Sequence, residues 1–284
     1  MLRHVAKAQA ARSKPSQQSS AARLAVRGAA LGIDIGGTGV KAALVDSSSG
    51  ELLSRRVRLN TPKPATPEAV AETVRRVVEM VAADRVLPAH LPVGCGLPAP
   101  IKNGRLMTAA NIDKHWIGLS AEELIGGVLG RRVTAINDAD AAGLAEVRVG
   151  AGRDCRGTVL MLTVGTGIGS GLFVDGRLVP NTEFGHLEFH GRGAETRISG
   201  AARERRHLRW KVWANEFNDY LARVELYFWP DLIILGGGVS KEIAKYRKWL
   251  KSRAPIVPAQ YLNTSGIIGA AMYAADRARA ETAP

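Results

Sequence analysis

The chain has 284 residues, 46% hydrophobic and 23% charged, enough for two ordinary domains and balanced like a folded globular protein. No apolar run reaches the roughly 18 residues that a membrane-spanning helix needs. Two cysteines, Cys95 and Cys155, are too few for a multi-cysteine metal centre and point to a reducing, cytoplasmic setting. The net charge is +13, and six basic residues with no acid fall in residues 1–28, leaving +7 on the remainder. Such a balance favours a polyanionic partner: nucleic acid, anionic lipid or a long phosphate chain.

Residues 1–28 read as a basic disordered tail, rich in Ala, Ser, Gln and Arg. They lack the continuous apolar core of a secretory signal, although an acid-poor Ser/Arg composition overlaps with transit peptides. Ala30–Ile35 and Val40–Val45 are apolar runs joined by Gly36-Gly37-Thr38-Gly39, a glycine-turned strand pair. A third strand is expected within Glu51–Leu59. Pro67 opens a helix to about Ala83 with Val70, Val74, Val77 and Val81 on one face. Strands are expected at Leu91–Gly96 and Arg132–Ile136, then an Ala-rich helix from Asp138 to Val149.

Thr158–Val164 and Ser170–Val174 flank a second glycine turn, Gly165-Thr166-Gly167-Ile168-Gly169. Trp210–Phe228 is the longest helix, with Trp210, Trp213, Phe217, Leu221, Val224 and Phe228 spaced as a core or subunit-interface stripe. Asp231–Leu235 is a strand running into Gly236-Gly237-Gly238, and helices follow at Lys241–Leu250 and Gly266–Ala280. Two α/β halves that each begin with a glycine-turned strand pair suggest a duplicated architecture with a cleft between, split into residues 29–137 and 138–284, the last helix packing back on the first half.

Two Gly/Thr turns in opposite halves could hold a phosphate chain, because glycines let backbone N–H groups converge on an anion. Asp34 precedes the first turn, where it could hold magnesium directly or through water. Neither turn has the Lys-Ser/Thr ending of a P-loop, and neither clearly opens a long helix as a dinucleotide fingerprint does. Asn137-Asp138 ends a strand and starts a helix, so it serves equally well as a helix cap or as a general base, with Asp140 a competing carboxylate. Asn181-Thr182-Glu183-Phe184-Gly185-His186 offers directional partners of the kind sugar hydroxyls need. His186, Glu188 and His190 could alternatively suggest a metal, but no second cluster completes a shell.

Together these stretches resemble the ROK (repressor, open reading frame, kinase) family of sugar kinases: Leu31–Thr38, Ile136–Asp140, Gly165–Gly169, Glu183–His186 and Gly236–Gly238. Thr108–Gly118, Val179–Glu188, Ala194–Arg197 and Val257–Asn263 narrow the resemblance to its polyphosphate-using branch. It implies an α/β, two-domain actin/hexokinase-like fold with an interdomain cleft. It implies transfer of the terminal phosphoryl of polyphosphate, or of ATP, to the 6-hydroxyl of glucose with Mg2+; the Trp/Phe stripe of Trp210–Phe228 permits the homodimer that is expected.

On the family pattern Asp138 is the general base, and Asn111, Asn137, Glu183, His186 and Glu195 bind the sugar. Asp34, Gly36, Gly37, Thr38, Gly39, Gly165, Thr166, Gly167 and Gly169 bind phosphate, with Lys41 a weaker candidate. Gly236, Gly237 and Gly238 meet a nucleotide. Many relatives in the wider group carry a Cys-rich zinc motif after the His; Leu187–Arg197 has no cysteine, which agrees with the polyphosphate-using branch, so no zinc is expected. The alternatives are another hexose kinase of the family, a sugar-sensing regulator and a nonenzymatic polyanion binder. Only about 28 residues precede the first strand, with no helix-turn-helix pattern, so neither a regulator nor a nucleic-acid partner is expected.

Overall fold

The computed structural model describes residues 28–282 except Asn111; apart from Gly28, the expected tail lies outside the described residues. Strand β1 (Ala29–Ile35) turns through its glycines into the antiparallel β2 (Val40–Asp46), and β3 (Val57–Leu59) pairs on the outer edge. Helix α1 (Pro67–Ala82) starts on Thr66, whose hydroxyl accepts the Ala69 N–H, with Pro67 in the first turn. It crosses to β4 (Val93–Leu97), parallel to β1. Helix α2 (Ala121–Leu129) leads to β5 (Thr134–Asn137), parallel to β4. The sheet order is 3-2-1-4-5.

The second half repeats it. After α3 (Asp138–Arg148), β6 (Thr158–Val164), β7 (Ile168–Val174) and β8 (Arg177–Val179) form an antiparallel meander. Beyond α4 (Trp210–Phe228), β9 (Leu232–Gly236) and β10 (Ile256–Pro258) add in parallel on the other side of β6. The order β8-β7-β6-β9-β10 reproduces the first sheet, strand for strand. The chain ends in α5 (Ser265–Thr282).

Hydrophobic cores hold the layers together. The outer face of the first sheet buries Leu31, Ile33 and Leu44 against Val70, Val74 and Val77 of α1. The outer face of the second buries Leu160 and Leu162 against Trp213, Phe217 and Leu221 of α4. Between the sheets, α3 and α5 pack with Val45, Met161, Phe173 and Ile234. The approach of α5 is close enough to require glycine. A methyl group on Gly94 of β4 would collide with the carbonyl oxygen of Ala270, and one on Gly32 of β1 with that of Ile267.

Two expected elements differ. Of Glu51–Leu59 only Val57–Leu59 is a strand, with Leu52 bridging singly to Val45; Ser54, Arg55 and Arg56 give the segment no apolar alternation to bury. Lys241–Leu250 is not one helix but short turns, Ile243–Tyr246 and Arg247–Trp249, after a helical turn at Gly237–Ser240. Only Tyr246 of that segment is deeply buried, so no apolar stripe sustains a longer helix.

Candidate active site

In parallel α/β sheets ligands gather at the carboxyl ends of the strands, and both sheets obey this here. A cavity of about 340 Å³ opens between them, lined by Gly37 and Thr38 after β1, Pro98 and Ala99 after β4, and Asn137 and Asp138 at the end of β5. From the second half come Thr163 and Gly165–Gly169, Gly237 after β9, and Glu183, His186 and Glu195. The two glycine turns thus share one cleft with Asp138. Each closes on itself: Gly36 N–H donates to Gly39 O at 3.0 Å, and Gly165 N–H to Gly167 O at 2.9 Å.

The Asn137-Asp138 pair divides the two tasks left open by its sequence. Asn137 is the cap: its Oδ1 accepts the Ala139 and Asp140 N–H groups at 2.8 and 3.0 Å, although the residue also lines the cavity. Asp138, freed from capping, faces the cleft. Burial pushes its pKa up to about 7, the charge of Asp34 adds to this, the Ala139 N–H opposes it, and Glu183 and Asp140 raise it further. A carboxyl so poised takes up a proton near neutral pH. Asp140 does not compete for the position. It is 1% exposed and absent from the cavity lining, and its Oδ2 accepts the Asn181 N–H at 2.7 Å.

Glu183 and His186 sit on a short helical turn, Phe184–His186, with Glu183 Oε2 3.5 Å from His186 Nε2. Burial raises the Glu183 pKa; His186 pulls it back and Glu195 adds to the rise. The turn lies so close to β7 that a methyl group on Gly185 would strike the Ile168 carbonyl. Glu195 accepts the Ile168 N–H at 3.1 Å, tying it to the second glycine turn. The aromatic stripe of α4 is the scaffold beneath both. Phe228 stacks on Phe184 at 4.2 Å, Tyr220 donates to Phe184 O at 3.3 Å, and Trp213 donates to Ile198 O at 2.9 Å behind Glu195.

Other expected residues lie off the lining. Lys41 is held by Asp34 at 2.6 Å, and neither faces the cavity directly. Gly36 and Gly39 shape the first turn from behind. Gly236 ends β9 in the core, and Gly238 lines a neighbouring cavity of about 600 Å³ with Thr166, Arg203, Trp210 and Lys245. Asn111 lies outside the described residues. Sequence reasoning did not assign roles to Pro98, Ala99, Thr108, Ala110 and Thr163. Thr163, a polar residue near the carboxyl end of an apolar parallel strand, is the one with a local signal.

The described lining carries three carboxylates and no Lys or Arg. A phosphate donor therefore meets backbone N–H groups and hydroxyls rather than side-chain cations. Among the described residues no three His, Cys, Asp or Glu converge as a metal cage. Magnesium does not need one, since it binds through one or two carboxylates plus phosphate oxygens. Asp34, beside the first turn and paired through Oδ2 with Lys41, is a carboxylate of that kind.

Residues 30–201 match the model of the ROK family. Over 243 residues the chain is 47% identical to a polyphosphate glucokinase of Mycobacterium tuberculosis, covering 85% of this chain and 89% of that one. A polyphosphate glucokinase of Mycobacterium leprae is 42% identical over 260 residues, 91% of this chain and 78% of that one. Among solved structures, the inorganic polyphosphate/ATP-glucomannokinase of Arthrobacter sp. strain KM superimposes with a TM-score of 0.85 at 49% identity, covering 88% of this chain and all of that one. A ROK family glucokinase of Streptomyces griseus, solved with glucose and AMPPNP, gives 0.73 at 25% identity, over 88% of this chain and 100% of that one.

Proposed function

The chain belongs to the ROK family, and from that premise we propose how its cleft carries out polyphosphate glucokinase chemistry. The protein is a polyphosphate glucokinase: it transfers the terminal phosphoryl group of polyphosphate to glucose, giving glucose 6-phosphate. The observation that carries the mechanism is Asp138, poised near neutrality on the floor of a cleft that both glycine turns enter.

Glucose binds against Glu183, His186 and Glu195, whose oxygens and ring nitrogen match hydroxyls that both donate and accept. Asp138 takes the proton of the 6-hydroxyl as that oxygen bonds to the terminal phosphorus. The bridging P–O bond breaks in the same step, and a chain shorter by one phosphate leaves. The N–H groups of the two turns and the hydroxyls of Thr38 and Thr166 receive the phosphoryl oxygens, fixed in place before charge develops there. Mg2+, held by Asp34 and the donor's own oxygens, would neutralise charge on the transferred group. Residues 29–137 and 138–284 act as the two domains that close over the sugar and exclude water as a competing acceptor.

ATP is the second donor of this reading, because Gly237 faces the cleft while Gly238 and Val239 line the larger cavity that meets it at Gly165 and Thr166. We place the enzyme in the cytoplasm on its two free thiols, Cys95 and Cys155. We take it to be a homodimer, supported by the exposed Leu226, Tyr227 and Trp229 at the end of α4; sedimentation tests this. Among the described residues no helix is long and apolar enough to cross a membrane.

The deciding assay offers purified protein glucose and magnesium with polyphosphate and with ATP in separate reactions. Glucose 6-phosphate is expected with polyphosphate; formation with ATP alone would overturn the donor assignment.

A further inference from the structure

The loop bearing Glu183 and His186 is anchored two residues upstream, and the anchor lies in the opposite half of the molecule. Asn181 has a φ of 62°, a left-handed conformation that Asn tolerates better than most residues. Its Oδ1 accepts the Ile101 N–H at 2.7 Å, and its Nδ2 donates to Ile101 O at 3.0 Å. One side-chain amide thus satisfies both main-chain groups of Ile101, as a partner residue does in an antiparallel ladder. Ile101 follows Pro98 and Ala99, and the hairpin it opens runs back to Thr108 and Ala110. All four line the sugar cavity from the first half, while Glu183 and His186 line it from the second.

Asp140 holds this anchor in place. Its Oδ2 accepts the Asn181 N–H, and its buried Oδ1 has no hydrogen-bond partner. A carboxyl buried with half its capacity unused is costly, and the phosphoryl transfer itself does not employ it. Besides its charge, which helps to raise the Asp138 pKa, its visible task is to fix the backbone of Asn181.

We propose that Asn181, held by Asp140, is a positioning residue that sets the width of the sugar cleft by tying the Glu183–His186 loop to the hairpin after Ala99. The inference rests on the sugar-binding reading of Glu183 and His186. The tie acts on the acceptor wall and leaves the glycine turns untouched, so its loss is felt by the sugar and not by the phosphate donor.

The test compares the full-length wild type with Asn181→Ala, Asn181→Gly, Asp140→Ala and Asp140→Asn, reading KM for glucose, KM for polyphosphate, kcat and Tm. Loss of the two hydrogen bonds of the tie is expected to raise KM for glucose roughly tenfold in Asn181→Ala, with KM for polyphosphate within about twofold. Asn181→Gly, which accepts the same backbone angle, should match Asn181→Ala and so separates strain from loss of the amide. Asp140→Ala should behave likewise. Asp140→Asn, which keeps an acceptor for the Asn181 N–H, should recover most of the glucose affinity.

Unchanged glucose KM in folded Asn181 variants overturns the proposal, as does an equal rise for both substrates. Should the variants not fold, the wild type still decides. Amide exchange at Ile101 should slow when glucose saturates the protein, and exchange indifferent to glucose overturns the tie. A wild type that phosphorylates no glucose would instead refute the function itself.

Discussion

The carboxyl of Asp138 stands among Asp34, Glu183 and Asp140, and burial together with those charges lifts its pKa to about 7. A base with that pKa is half-protonated at neutral pH, so kcat/KM should rise with pH along a limb centred near 7, measurable from pH 5.5 to 8.5. Asp138→Asn removes the proton acceptor and should lower kcat by about a hundredfold or more while calorimetry still detects glucose binding. The same raised pKa has a second sign. The folded protein holds this proton more tightly than the unfolded chain, so the site gives up stability as pH rises from about 4 through 7. Asp138→Asn should therefore gain Tm over the wild type at pH 8 and lose that gain near pH 4, the trade of stability for activity seen at strained sites. At this scale the sequence was legible where residue type and position coincide: an acid at a strand end, a Glu and a His one helical turn apart. It grouped Asn181 with the sugar-binding stretch but was silent on its tie to Ile101, because the partner that gives its amide a purpose lies eighty residues away.

Elements defined by punctuation were readable in one dimension. The strand pairs Ala29–Asp46 and Thr158–Val174 announce themselves by apolar runs around Gly/Thr turns, and α4 by aromatic residues at spacings of three and four. Those stripes are satisfied by the core: Trp213, Phe217 and Leu221 are fully buried. The segment 241–250 failed because its charge pattern permits a helix that no neighbouring surface pays to bury. Glycines inside strands gave the weakest signal, yet Gly94 decides how closely α5 can lie. Gly94→Ala would press a methyl group into the Ala270 carbonyl. Such overpacking should cost about 1–3 kcal/mol, read as a lower denaturation midpoint with an unchanged m-value.

At the scale of the whole molecule, a chain of net charge +13 carries a cleft whose lining is acidic. Long-range attraction then delivers the donor, while short-range contacts through backbone N–H groups hold it. Raising salt from about 50 to about 300 mM shortens the reach of that attraction to several ångströms. KM for polyphosphate should climb severalfold while KM for glucose stays within about twofold, and initial-rate measurements on both substrates check this.

The repeated five-strand order hides one asymmetry. Its first copy is covered on the inner face by α5, which comes after every strand of both sheets. During synthesis the first sheet therefore emerges from the ribosome with that face bare, and it stays so until the eighteen residues of α5 follow. Nascent chains of this protein are committed to a late finish: the amino-terminal half waits for its lid, and chaperones have that interval to guard.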